Sequence, residues 1–214
     1  MSDKPITVLL ADDHMVVRTG YRRLLEQSGH IEVVAEAENG EVACRLYQEH
    51  IPDVVVMDLS MPGIGGLEAA RRILSRKPSA CILIFSLHDN VLLAERALQA
   101  GILGYITKAS SPEVLIQAVV TVAQHRKFLG PDIAQSVALR NMDEEDSSLS
   151  NLSPREMEIF LLVVEGKSGA EIASTLHLTN KTVSNYLHQV KQKLNVHTSA
   201  ELVHVAIQNG LIMA

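Results

Sequence analysis

Short β-branched runs alternating with helix-length amphipathic stretches predict an α/β domain with a doubly wound, five-stranded parallel sheet. A change to purely helical periodicity further along predicts a small all-α domain after it. Between the two, residues 141–148 carry four carboxylates and no basic side chain. That segment is polar, unpatterned and self-repelling, the composition of a solvated linker, so the domain boundary falls there. The resulting division is a first domain at 1–125, a linker at 126–149 and a second domain at 150–214.

The strands are expected at residues 7–11, 31–37, 54–57, 81–85 and 104–106. The first, third and fourth are almost wholly apolar, as strands covered on both faces must be. Glu32, Glu36 and Glu38 mark the second as an edge. With 214 residues, 47% hydrophobic and 21% charged, the chain can bury a core in each domain, which excludes disorder throughout. Its longest unbroken apolar runs, 80–85 and 159–164, fall far short of the ~20 residues a membrane-spanning helix needs. The apolar run near the start is short and ends at Asp12 and Asp13, unlike a signal peptide, so a cytoplasmic protein with no membrane partner is expected. The two cysteines, Cys44 and Cys81, sit among apolar neighbours and read as core packing rather than as a disulfide or zinc site.

In a doubly wound sheet, ligands bind outside the carboxyl ends of the strands. Four of those ends are chemically complementary: Asp12 and Asp13 after the first strand, Asp58 after the third, Ser86 after the fourth and Lys108 after the fifth. Three converging carboxylates repel one another unless a cation lies among them. A hard divalent ion with oxygen ligands, Mg²⁺, meets that demand. Any one of these residues alone would read as an ordinary polar strand terminus.

The segments LLADDH (9–14), VVVMDLSMPGIGG (54–66), ILIFSLHD (82–89) and GYITKASSP (104–112) resemble the flavodoxin-like receiver domain of two-component response regulators over about residues 5–125. The resemblance implies that Asp58 accepts a phosphoryl group from a phosphohistidine on a sensor histidine kinase. It implies Mg²⁺ held by Asp13, Asp58 and the Ser60 carbonyl, with Asp12 acting through water. Lys108 would contact the phosphate, and Ser86 would swing towards it while Tyr105 turns inward. Tyr105 also has a plainer reading, as a half-buried core aromatic. A haloacid dehalogenase-type phosphatase would carry a second Asp where this chain has Ser60, and a dinucleotide fold would need G-x-G-x-x-G after the first strand. The chain is therefore expected not to be an enzyme beyond accepting the phosphoryl group and losing it by self-catalysed hydrolysis. Gly63, Gly65 and Gly66 read as a loop before a helix at 67–76, and a further helix is expected at 90–100.

In the second domain Ser153/Glu156, Ser168/Glu171 and Thr198/Glu201 have capping-box spacing, Pro154 stands at a first helical position, and Gly166 and Gly210 are stop signals. With Thr179 as a further cap, four helices follow at about 154–165, 169–176, 180–194 and 199–209. The second and third, joined only by 177–179, suggest a helix-turn-helix. On the third, Val183, Leu187, Val190 and Leu194 share a stripe, which turns Lys181, Ser184, Asn185, His188 and Gln192 outward. Lys181, Lys191 and Lys193 are the only formal charges between 172 and 200. This local excess favours DNA over a merely solvated face.

LSPRE, EIA, KTV, KLNV and AEL make residues 150–213 similar to the LuxR-type helix-turn-helix output domain, and with the receiver they place the chain with the NarL/FixJ class by resemblance. By that likeness Ser184, Asn185 and His188 contact bases, Lys181, Thr182, Lys191 and Lys193 contact phosphates, and the last helix carries dimer contacts. Tyr186 stands where the pattern usually has His, and Ser184 and His188 replace commoner basic residues, so an operator preference does not transfer. The implied partners are a sensor histidine kinase, promoter DNA and a second copy of the chain, with RNA polymerase as a possible further one. The implied function is transcriptional control, with phosphorylation promoting dimerisation and operator binding. The alternative is a phosphorylation-independent DNA-binding regulator whose receiver serves only for dimerisation or docking.

Overall fold

The computed structural model describes residues 4–87, 91–140, 148–209 and 211. The chain divides into two units, Met1–Met142 and Asp143–Ala214. In the first, β1 (Ile6–Ala11), α1 (Met15–Gln27), β2 (Ile31–Ala37), α2 (Gly40–His50), β3 (Val54–Met57), α3 (Gly66–Arg76), β4 (Ile82–Ser86), α4 (Val91–Gln99), β5 (Gly104–Thr107) and α5 (Pro112–Ala123) alternate as expected. They are followed by β6 (Phe128–Leu129) and α6 (Pro131–Arg140). The strand order is β2-β1-β3-β4-β5-β6, every pair parallel.

Two features depart from expectation, and both lie in the stretch assigned to a linker. The sheet has six strands, not five, because Phe128 and Leu129 pair with Gly104 and Tyr105 on the outer side of β5. A two-residue strand leaves no alternation to detect. Residues 131–140, also within the 126–149 linker, form α6, with Ile133 buried. Pro131 and Asp132 are a helix-start signature, a first-position proline with an acid in the first turn. The acidic stretch 141–147 lies outside the described residues, as do Gly210 and the start of the helix expected at 90.

The sheet is buried on both faces, as the apolar strands require. On one face Val8, Leu10, Val54, Val56, Leu83, Phe85 and Ile106 form a continuous core with Leu25 of α1 and Leu115, Val119 and Val122 of α5. The alternate residues Leu9, Val55, Met57, Ile84 and Tyr105 are equally sealed on the opposite face. β2 is the expected edge, and its Glu36 is clamped by Arg18 Nε at 3.0 Å and Arg22 Nη1 at 2.7 Å from α1. All parallel strands end at the same side of the sheet, so Asp12, Asp58, Ser86 and Lys108 arrive together.

The second unit has a short 3₁₀ turn (Ser148–Asn151) and then α7 (Pro154–Val164), α8 (Gly169–Thr175), α9 (Asn180–Lys193) and α10 (Ser199–Gln208). All three capping boxes form, with side chain and backbone bonded reciprocally. Thr179 caps α9, and Gly166 takes the left-handed conformation that ends α7. Ile159, Leu162, Ile172, Leu176 and Val183 form the core, with Leu187 and Tyr186 packed against it. Tyr186, which departs from the sequence pattern, is therefore partly a packing residue.

Candidate functional site

The carboxyl ends of β1, β3 and β5 build an acidic crevice. Asp12 is 2% exposed and Asp58 4%. Lys108 spans them, its Nζ donating to Asp12 Oδ2 at 2.6 Å and to Asp58 Oδ2 at 2.7 Å. The other Asp12 oxygen accepts from the His14 N–H at 2.8 Å, and Asp58 Oδ1 accepts from the Ser60 N–H at 3.3 Å. Asp13 Oδ1 lies 2.8 Å from His14 Nδ1. The Lys108 N–H donates to the Ser86 carbonyl at 2.7 Å, which ties the ends of β4 and β5 together next to the ammonium. Ser86 and Tyr105 are both fully buried.

Burial pushes the Asp58 carboxyl above its ordinary range and the Asp12 charge adds to this, while the charge and hydrogen bond of Lys108 oppose it. For Lys108 burial acts downward, but Asp58 and Asp12 outweigh it and hold the ammonium above its usual value. One ammonium thus bridges two carboxylates, Asp12 and Asp58, with Asp13 beside them against His14. Oxygen atoms of Asp12 and Asp13 lie within 4.8 Å of each other and of a His14 nitrogen. The carboxylate oxygens of this group, with Asp58 close by and an excess of negative charge, suit Mg²⁺.

Three residues that shape this crevice are not among those the sequence points to. Arg18 donates from Nη1 to the Asp12 carbonyl at 2.6 Å. Thr107 Oγ1 donates to Asp132 Oδ2 at 2.9 Å, which pins the start of α6 beside Lys108. Gly66 reads in the sequence only as loop, yet a Cβ there would lie 1.8 Å from the Asp58 carbonyl oxygen. Arg18 lies one turn after His14, the N-cap of α1, but nothing in the sequence names the Asp12 carbonyl as its partner.

On α9, Lys181, Ser184, Asn185 and His188 are exposed, and Lys191 is half-buried. Two other candidates are engaged within the domain. Thr182 binds Thr179 through its N–H at 3.1 Å, and the two hydroxyl oxygens lie 2.8 Å apart. Lys193 Nζ donates to Glu156 Oε2 at 2.6 Å. Glu156 is only 3% exposed. Burial would raise its carboxyl, but Lys193 and the Ser153 N–H together hold it below the ordinary range.

This geometry separates the lysines. Lys193→Ala should strand a buried carboxylate and cost about 1–2 kcal/mol, less than a fully buried pair because the ammonium is partly in water. Lys191→Ala should leave thermal stability unchanged and weaken binding to all DNA sequences alike, lowering the salt slope by roughly one contact. Asn185→Ala should lose about 1–3 kcal/mol of discrimination at one base position only. Melting curves, with titrations of single-base operator variants at fixed salt, check all three; a uniform drop across variants would move Asn185 to the phosphate class.

The model of the response regulator receiver domain matches residues 8–120, and that of the bacterial regulatory proteins of the luxR family matches residues 150–206. The response regulator UvrY of Escherichia coli strain K12 is 41% identical over 98% of this chain and 97% of its own length. The chain belongs to the response regulators. Among solved structures, a LuxR-family response regulator from Aurantimonas sp. SI85-9A1 is 45% identical with a TM-score of 0.64, covering 65% of this chain and 100% of that one. The response regulator RcsB, solved as a complex with DNA, is 27% identical with a TM-score of 0.59, covering 94% of this chain and 98% of that one. The present response regulator thus joins a receiver to a LuxR-type DNA-binding domain and acts in transcriptional control rather than as a metabolic enzyme.

Proposed function

We propose that Asp58 accepts a phosphoryl group from a phosphohistidine of a sensor histidine kinase, and that phosphorylation favours dimerisation and operator binding. The observation that carries this reading is the buried Lys108 ammonium bridging Asp12 and Asp58 at 2.6 and 2.7 Å. An Asp58 oxygen attacks phosphorus as the phosphorus–nitrogen bond to imidazole breaks. Lys108 can leave its bond to the attacking carboxylate for an equatorial phosphoryl oxygen while still held by Asp12, so charge is neutralised without a general base. Mg²⁺, held by Asp13, Asp58 and the Ser60 carbonyl with Asp12 behind water, would supply the remaining neutralisation of the phosphoryl oxygens. The same pocket can admit water to hydrolyse the acyl phosphate, which makes the signal self-limiting. On the DNA side, the exposed Ser184, Asn185 and His188 suit base contact, and Lys181 and Lys191 suit phosphates. A complex of the relative RcsB with DNA supports promoter DNA as the target.

Mg²⁺ with a small phosphodonor should label Asp58, located by peptide mass spectrometry; a label on any other residue overturns the assignment. Ser86 and Tyr105 should transmit the label rather than create it. Ser86→Ala should keep labelling at Asp58 and lose the phosphodonor-dependent dimer shift in light scattering; an unchanged shift would remove Ser86 from the switch.

Equal dimer fractions with and without the phosphodonor would instead favour a phosphorylation-independent DNA-binding regulator whose receiver serves only for dimerisation or docking.

A further inference from the structure

The receiver's other chemical feature lies away from the acidic crevice, in a cavity of about 320 Å³ between α2 and α3. Its floor is apolar, made by Tyr47 and Ile73, both buried, with the half-buried Cys44 thiol beside them. Three cations stand around it: Arg72, Arg76 and Lys77. Arg72 is held by Glu68 at 3.0 Å, whereas Arg76 and Lys77 have no acidic partner among the described residues. Burial pushes the Cys44 thiol up; the nearby Arg72 and Arg76 guanidinium charges act downward on it and the Glu41 and Glu68 carboxylates upward. At the mouth, Ile51 is 69% exposed and holds a left-handed conformation, φ 46°. That conformation is the left-handed cap that ends α2, the Ile51 N–H donating to the Tyr47 carbonyl at 2.9 Å, and it holds the Ile51 side chain out at the rim.

We propose that this cavity is a binding site for a small amphipathic carboxylate, its hydrocarbon or aromatic body against Tyr47, Ile73 and Cys44 and its carboxylate at Arg76 and Lys77. The volume falls within the range of small-molecule sites, and an apolar body with a few convergent charges is their usual chemistry. The C-terminal end of α3 contributes about half a negative charge, which two full cations outweigh. A polyanion such as a nucleotide would leave an apolar floor uncovered and phosphate charge unmatched. An uncharged lipid would leave both cations unused.

Titration calorimetry on the full chain with hexanoate, octanoate and decanoate, below their micelle-forming concentrations, tests this. Affinity should rise roughly fourfold per added methylene until the cavity is filled. Arg76→Gln combined with Lys77→Gln should weaken octanoate roughly tenfold and leave octan-1-ol unaffected; both side chains are exposed, so the fold is not at risk. Octanoate should also slow alkylation of Cys44 by iodoacetamide in the unmodified chain while leaving the rate at buried Cys81 unchanged. Absent saturable binding, absent protection of Cys44, equal effects on octanoate and octan-1-ol, or equal protection of both cysteines would each overturn the proposal.

Discussion

Asp58→Asn should yield a protein that takes up no phosphoryl label and yet, without metal, melts at a higher temperature than the wild type at neutral pH. An amide nitrogen or oxygen cannot form the acyl phosphate, so the loss of labelling is complete. The gain in stability follows from the direction of the Asp58 shift. Its carboxyl, raised by burial in the folded chain, binds a proton more readily there than in the unfolded chain. The folded state is therefore favoured in acid, below the ordinary carboxylate range, and that advantage disappears as pH climbs through the raised value. At neutral pH the wild type carries the cost of a buried anion that asparagine lacks. Lys108 keeps its 2.6 Å bond to Asp12 in the variant, so no ammonium is stranded. Mg²⁺ should reverse the order by raising the wild-type melting temperature and leaving the variant nearly unmoved. Scanning calorimetry from mildly acidic to neutral pH, with and without Mg²⁺, checks the sign. A variant that melts below the wild type throughout would mean that Lys108 depends on Asp58 more than Asp58 suffers from burial.

What is legible in the sequence is local or periodic. Strand ends can be placed because buried parallel strands announce themselves as apolar runs, and the polar residue that stops each run is the one that lines the crevice. The three capping boxes and the Thr179 cap are legible because each closes within three residues. What escapes is tertiary. The 126–149 stretch contains no long apolar pattern, so β6 and α6 stay hidden although Pro131 and Asp132 signal a helix start. Lys193 looks like a DNA contact because it lies in a basic helix end; its partner Glu156 is 37 residues away and is itself legible only as part of a cap. Arg18 and Thr107 reach the crevice through contacts whose partners no sequence spacing names. Gly66 is indistinguishable by sequence from Gly63 and Gly65 in a glycine-rich loop. The three differ in kind, because Gly63 and Gly65 need positive φ and Gly66 needs the absence of a side chain.

That last distinction carries the second large effect. Gly66 opens α3 directly against β3's end, its N–H donating to the Leu59 carbonyl at 2.9 Å. An alanine Cβ would stand 1.8 Å from the Asp58 carbonyl oxygen, 2.8 Å from the Asp58 carbonyl carbon and 3.0 Å from Leu59 Cα. All three obstacles are backbone, so no rotamer change relieves them; either α3 withdraws or the Asp58–Leu59 peptide moves. Gly66→Ala should therefore cost about 3 kcal/mol, at the upper end of overpacking, and lower the melting temperature by roughly 6–12 °C. Because the displaced peptide carries the phosphoacceptor itself, labelling of Asp58 should slow even at temperatures where the variant is folded. Gly20 is the matched control. It lies inside α1, where an added methyl group would meet nothing within 4 Å, so Gly20→Ala should stabilise by about 0.5–1 kcal/mol through helix propensity and leave labelling unchanged. If Gly66→Ala melts with the wild type and labels at the same rate, then α3 does not press on Asp58, and the crevice owes its shape to the strands alone.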